Sequence, residues 1–131
     1  MTVAAIYTCA GHQLTDDERS FFKDADPFGF ILFADNIDTP DQIRALTASL
    51  RETVGRDDAP ILIDQEGGRV ARLTPPQWRS APPAKAFGDL ALRDKEAAQR
   101  AAEINARLIA AELYDLGIDV DCAPVLDLSI P

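Results

Sequence analysis

The chain has 131 residues, a length that suits one hydrophobic core or part of a larger one and argues against several domains. Hydrophobic residues make up 47% and charged residues 27%, which places the chain with globular proteins and excludes a disordered tail. Its net charge of −9 repels phosphate backbones, so nucleic acid is not an expected partner. No apolar run approaches the roughly 20 residues of a membrane helix. The opening MTVAAIYTCAG also lacks the basic region and full apolar segment of a secretory leader. Cys9 and Cys122 each lie in a strand-like stretch and read as buried, reduced thiols rather than a disulfide or a metal site, which makes the cytoplasm the expected location.

VAAIY (3–7) is a short apolar run that ends towards Gly11, as a strand does. Thr15 and Glu18 then form a T-x-x-E capping box, with Asp16 and Asp17 placed where a helix dipole favours negative charge. Pro27 ends that helix. FGFILFA (28–34) is continuous, apolar and rich in branched and aromatic residues, which suits a strand covered on both faces. Thr39, Pro40 and Gln42 give an N-cap, a proline in the first turn and a second capping-box pattern. Ile43, Leu46, Leu50 and Val54 follow at helical spacing on one core-facing stripe.

After Pro60, ILI is a third buried strand. The segment LTPPQWRSAPPAKAFG (73–88) carries Pro75, Pro76, Pro82 and Pro83 and reads as a long irregular loop with Trp78 on it. Good helix formers run from Asp94 to Leu116, with Ala97, Ala101, Ile104 and Leu108 on one stripe and Gly117 at the C-terminal stop. IDVDCAPVLDL is a fourth strand and its exit. This α/β alternation predicts parallel strands joined by helical crossovers. Length favours a doubly wound sheet, because a (β/α)₈ barrel takes about 250 residues and would be cut near its middle.

In either architecture chemistry collects at the carboxyl ends of the strands. Asp35 and Asn36 follow the second strand, DQEGGRVARL (64–73) the third, and Asp127 the fourth. Gathered carboxylates require counter-charges, donors or a polar ligand, and Arg69 and Arg72 lie close by. The glycines lack phosphate-loop spacing, so Gly67-Gly68 reads as a tight turn with positive φ or a close approach to a ligand. Magnesium held by Asp35, Asp64 and Asp127 is a minor reading. A sugar suits the set better, since a carboxylate accepts from adjacent hydroxyls, an arginine fork donates, and Trp78 offers an apolar face. The bland alternative is an ion pair of Glu66 with Arg69 that holds the loop, with Trp78 as its anchor.

IDQEGGRVARL (63–73), preceded by GFILFADN (29–36) and followed by APVLDL (123–128), resembles the N-terminal part of glycoside hydrolase family 3. The likeness is to the bacterial β-N-acetylhexosaminidases that recycle cell-wall muropeptides. It implies that residues 1–131 are the incomplete N-terminal portion of a (β/α)₈ barrel domain, its first half. The implied activity is removal of terminal β-linked N-acetylglucosamine with retention, through a covalent intermediate on an aspartate and without a cofactor. By the same resemblance Asp64 binds the non-reducing-end hydroxyls and Arg72 assists in that subsite. Glu66, Arg69 and Asp127 lie at the rim or behind it, and His12 matches no functional position and is a surface residue.

The resemblance also sets limits. The family's KH-F-P-G-H-G stretch, with its acid/base histidine, and the later aspartate nucleophile correspond to positions after Pro131, so no catalytic residue is expected within this chain and the segment alone is expected to be inactive. Asp35 stands where relatives often have arginine. Asp64 and Glu66 are not the two carboxyl groups, about 5–5.5 Å apart, of a retaining glycosidase. The alternative is a non-catalytic half-barrel module that binds sugar or associates with itself through exposed strand edges.

Overall fold

A computed structural model describes residues 1–126. Strands β1 (Val3–Tyr7), β2 (Pro27–Leu32), β3 (Ile61–Ile63) and β6 (Val120–Asp121) form a four-stranded sheet in the order β1-β2-β3-β6, and every neighbouring pair is parallel. A doubly wound sheet reverses direction at a switch point, whereas this one adds each strand beside its predecessor, as a (β/α)₈ barrel does. The barrel is not closed: β1 and β6 are free edges of the described sheet.

Helices α1 (Asp16–Ala25), α2 (Pro40–Val54) and α4 (Lys95–Asp115) supply the crossovers. The Thr15 capping box forms as the sequence predicts, because both partners meet orphan N–H groups of the first turn. In α2 the Thr39 hydroxyl caps the Gln42 N–H, but the Gln42 side chain returns to the Asp38 N–H, one residue earlier than a reciprocal box requires. Two elements depart from the sequence reading. A further helix, α3 (Ala84–Ala91), occupies the end of the segment read as irregular, since all its prolines lie before Ala84 and Pro83 stands at the N-cap, where no helical N–H is needed. Between β3 and that segment, β4 (Gln65–Gly67) and β5 (Val70–Ala71) form a small antiparallel hairpin.

The core lies on one face of the sheet. Phe30, Leu32, Ile61 and Ile63 are in register and pack with Phe22 of α1, with Ile43, Leu46 and Leu50 of α2, and with Ile109 and Leu113 of α4. Ile31, Leu62 and Val120 share the opposite face and are only partly covered. Helix α4 buries Ala98, Ile109 and Leu113, while Ile104 and Leu108 from the stripe singled out in the sequence are exposed, so this helix carries a second apolar stripe with no partner in the described chain. Among the described residues no helix is long and apolar enough to cross a membrane.

Candidate functional site

Side chains alternate along a strand, so one step past the last β2, β3 and β6 partners brings Phe33, Asp64 and Cys122 onto the open face. Asp64 therefore emerges at the carboxyl end of a central parallel strand. Arg72 returns to it through the hairpin. Gly67 and Gly68 make the turn at φ 93° and 64°, and a Cβ on Gly67 would lie 2.4 Å from the Pro82 carbonyl oxygen, so this backbone approach demands glycine. The turn is pinned to the proline segment by the Gly68 N–H, which donates to the Ala81 carbonyl at 2.8 Å.

Gln65, which the sequence reading passed over, fixes where Arg72 starts. It faces the core side and is almost fully buried. Its Oε1 accepts from the Arg72 and Leu73 N–H groups at 2.8 and 2.9 Å, and its Nε2 donates to the Leu73 carbonyl at 3.0 Å. An amide immediately after a strand, at the buried parity, was the available signal, because burial obliges it to find backbone partners. Arg72 Nη2 then donates to Asp64 Oδ2 at 2.8 Å. Both side chains are about three-quarters buried, which shields the pair from solvent while leaving it open to a ligand.

The remaining candidate residues divide. Glu66 lines a groove of about 570 Å³ beside α3, α4 and β6, together with Phe87, Ile109 and Asp121. Arg69 is exposed at the hairpin tip, and among the described residues the two form no ion pair, so that bland reading is corrected. Trp78 packs its indole, partly buried, against the core and its backbone N–H donates to the Thr74 carbonyl, so the residue anchors the loop rather than offering a free sugar platform. Asp35 is exposed on a 3-10 turn (Ala34–Asn36), and His12 is exposed. Asp127 lies outside the described residues. Among those described, no three His, Cys, Asp or Glu side chains converge as a metal site.

Cys122 is exposed, contrary to the expected burial, because β6 is an edge strand and its open face has no cover. Partial burial raises its thiol pKa, and the nearby Asp64 carboxylate raises it further. Asp121, on the other face, is also raised, first by burial and then by Asp64 and Glu66, against the Gln65 N–H that donates to its Oδ1 at 2.9 Å. Asn36 is the buried polar joint of the site. Its Nδ2 donates to the Cys9 and Gly11 carbonyls at 2.9 and 3.1 Å, and its Oδ1 accepts from the Phe33 N–H at 2.8 Å.

Residues 3–130 match the model of the glycosyl hydrolase family 3 N terminal domain. The chain is similar to a β-hexosaminidase of Methylococcus capsulatus, 41% identical over 123 residues that cover 94% of this chain and 35% of that protein. Its structure is similar to that of NagZ from Neisseria gonorrhoeae in complex with N-trifluoroacetyl-D-glucosamine, with a TM-score of 0.87, 33% identity and coverage of 95% of this chain and 36% of that one. A family 3 β-N-acetylglucosaminidase from Paenibacillus is also similar, with a TM-score of 0.78, 33% identity and coverage of 94% and 23%. The chain thus spans about a third of the length of the curated relatives it matches. With its sequential parallel sheet and the DQEGGRVAR hairpin at one strand end, the chain belongs to glycosyl hydrolase family 3.

Proposed function

We propose that this chain forms the N-terminal portion of the barrel domain of a retaining hydrolase that removes terminal β-linked N-acetylglucosamine, and that it supplies the grip on the sugar rather than the reacting groups. The observation that carries this reading is the Asp64–Arg72 pair, held at 2.8 Å at the carboxyl end of β3 by a hairpin whose every bend has a backbone reason. A carboxylate engaged by one arginine donor retains lone pairs for two neighbouring hydroxyls, and the guanidinium retains donors for a third. Such a clamp raises turnover when its contacts tighten as the ring distorts towards the transition state. Asp64 itself is not assigned the nucleophilic role, because the resemblance to family 3 gives this aspartate the sugar hydroxyls and assigns the nucleophile to a later one. The reaction needs no cofactor.

The ligand in the Neisseria structure supports an N-acetylhexosamine-type substrate. Muropeptides from cell-wall turnover are the proposed source of that sugar, and Glu66, Arg69 and Asp127 are proposed to line or back the rim. The free thiols of Cys9 and Cys122 fit a reducing cytoplasm. The test is hydrolysis of 4-nitrophenyl N-acetyl-β-D-glucosaminide by the intact gene product. Asp64→Asn should raise KM and lower kcat without changing the anomeric outcome, whereas wild-type kinetics in that variant would remove Asp64 from the sugar site. Residues 1–131 alone should show no turnover.

The second reading, a self-associating module without catalysis, is favoured by one observation: Ile104 and Leu108 are exposed on a stripe of α4 separate from the face that Ile109 and Leu113 turn towards the sheet. Light scattering on residues 1–131 separates the two, since a compact monomer would count against association through that face.

A further inference from the structure

Phe33 leaves β2 on the same face as Asp64, and the Arg72 guanidinium carbon lies 5.8 Å from the centre of its ring. That separation is within the roughly 6 Å reach of a cation–π contact. Arg72 meets Asp64 through the single donor Nη2, and its Nε is buried without a hydrogen-bond partner among the described residues. A one-point ion pair fixes a distance but not the plane of the guanidinium, which is free to turn about the contact. The ring supplies the missing constraint. Phe33 is in turn located by its N–H donating to Asn36 Oδ1, while Asn36 Nδ2 holds the exit of β1 through Cys9 and Gly11.

We infer that Phe33 is a positioning residue for the sugar-binding pair: its ring orients the Arg72 guanidinium so that the donors not spent on Asp64 face the sugar hydroxyls. The inference rests on the sugar-site reading above. It assigns a role in recognition to an apolar residue that neither charge nor hydrogen bonding would single out, and it makes the β1 and β2 exits part of the same clamp.

The experiment measures kcat and KM for 4-nitrophenyl N-acetyl-β-D-glucosaminide in the intact gene product. It compares Phe33→Leu, Phe33→Met and Phe33→Tyr, each alone and combined with Arg72→Ala, with Asp64→Asn as the site control. Either non-aromatic variant should raise KM about fivefold with kcat held within about twofold, and Phe33→Tyr should restore KM to within about twofold of wild type. In the Arg72→Ala background the same replacements should change kcat/KM by less than about 1.5-fold, because the partner of the ring is gone. An equal loss with and without Arg72 would make Phe33 a packing residue and overturn the inference. So would unchanged KM in both non-aromatic variants while Asp64→Asn weakens binding. Wild-type kinetics in Asp64→Asn would instead remove the sugar-site reading, and the inference with it.

Discussion

Replacing Asn36 with alanine probes the joint on which this arrangement hangs. The side chain is 1% exposed and joins three backbone groups from two strand exits: the carbonyls of Cys9 and Gly11 and the N–H of Phe33. Each buried backbone group left without a partner costs about 1–3 kcal/mol. The Cys9 contact is fully buried and the other two are partly buried, so full weight for the first and half weight for the others, at about 2 kcal/mol each, gives a loss of about 4 kcal/mol. In an intact protein of the curated relatives' length, about three times that of this chain, that corresponds to a fall in Tm of about 5 °C. Urea and thermal unfolding of the intact gene product measure it, with exposed Asp35→Ala as the neighbouring control, expected within about 0.5 kcal/mol of wild type. Hydrogen exchange should speed up at the Phe33 amide in Asn36→Ala. A loss below about 1 kcal/mol, with Phe33 protection intact, would refute the view that one amide fastens both strand exits.

Three further outcomes follow from the geometry. Gly67→Ala should destabilise the protein by about 2 kcal/mol or more, through a strained φ and the clash with Pro82, whereas Gly11→Ala, which meets nothing within 4 Å, should cost far less; matched urea midpoints for the two variants would contradict this. Asp121 has a folded-state pKa raised above 3.8, first by burial, so its protonated form is favoured in the fold; this contribution to stability is full below pH 3.8 and is lost as pH rises through the raised value. Asp121→Asn should therefore gain stability over wild type at pH 7 and lose that advantage near pH 3, which unfolding curves across that range would check. The Cys122 thiol is held protonated by partial burial and by the Asp64 carboxylate, so Asp64→Asn should speed its alkylation by iodoacetamide at neutral pH, and an unchanged rate would separate the two side chains.

The strands and the long helices could be read from sequence because their signals are local. VAAIY coincides with β1, ILI with β3, the Thr15 cap with the start of α1, and the run of helix formers from Asp94 with α4, where Asp94 proves to be the N-cap. Helix α3 was hidden by the prolines before it, although Pro83 is an adequate N-cap. The inner stripe of α4 could not be told from the outer one, since both are apolar and only the position of the sheet decides between them. In the site, DQEGGRVAR pointed to Asp64 and Arg72 as neighbours. Gln65 and Asn36 were not read as its framework, because an amide shows its use only once the carbonyls and N–H groups around it have been placed. Phe33 looked like one more strand residue for the same reason.

The strand order also has a bearing on how the polypeptide matures on the ribosome. Within the described sheet each new strand finds its partner in the one synthesised before it, so docking can proceed in step with elongation while β1 keeps a free outer edge. The longest delay falls between β3 and β6, while the hairpin, α3 and α4 emerge, and during that interval the edge of β3 is bare. The Asp64–Arg72 pair borders that gap, and the hairpin that holds it is synthesised before the strand that later flanks it.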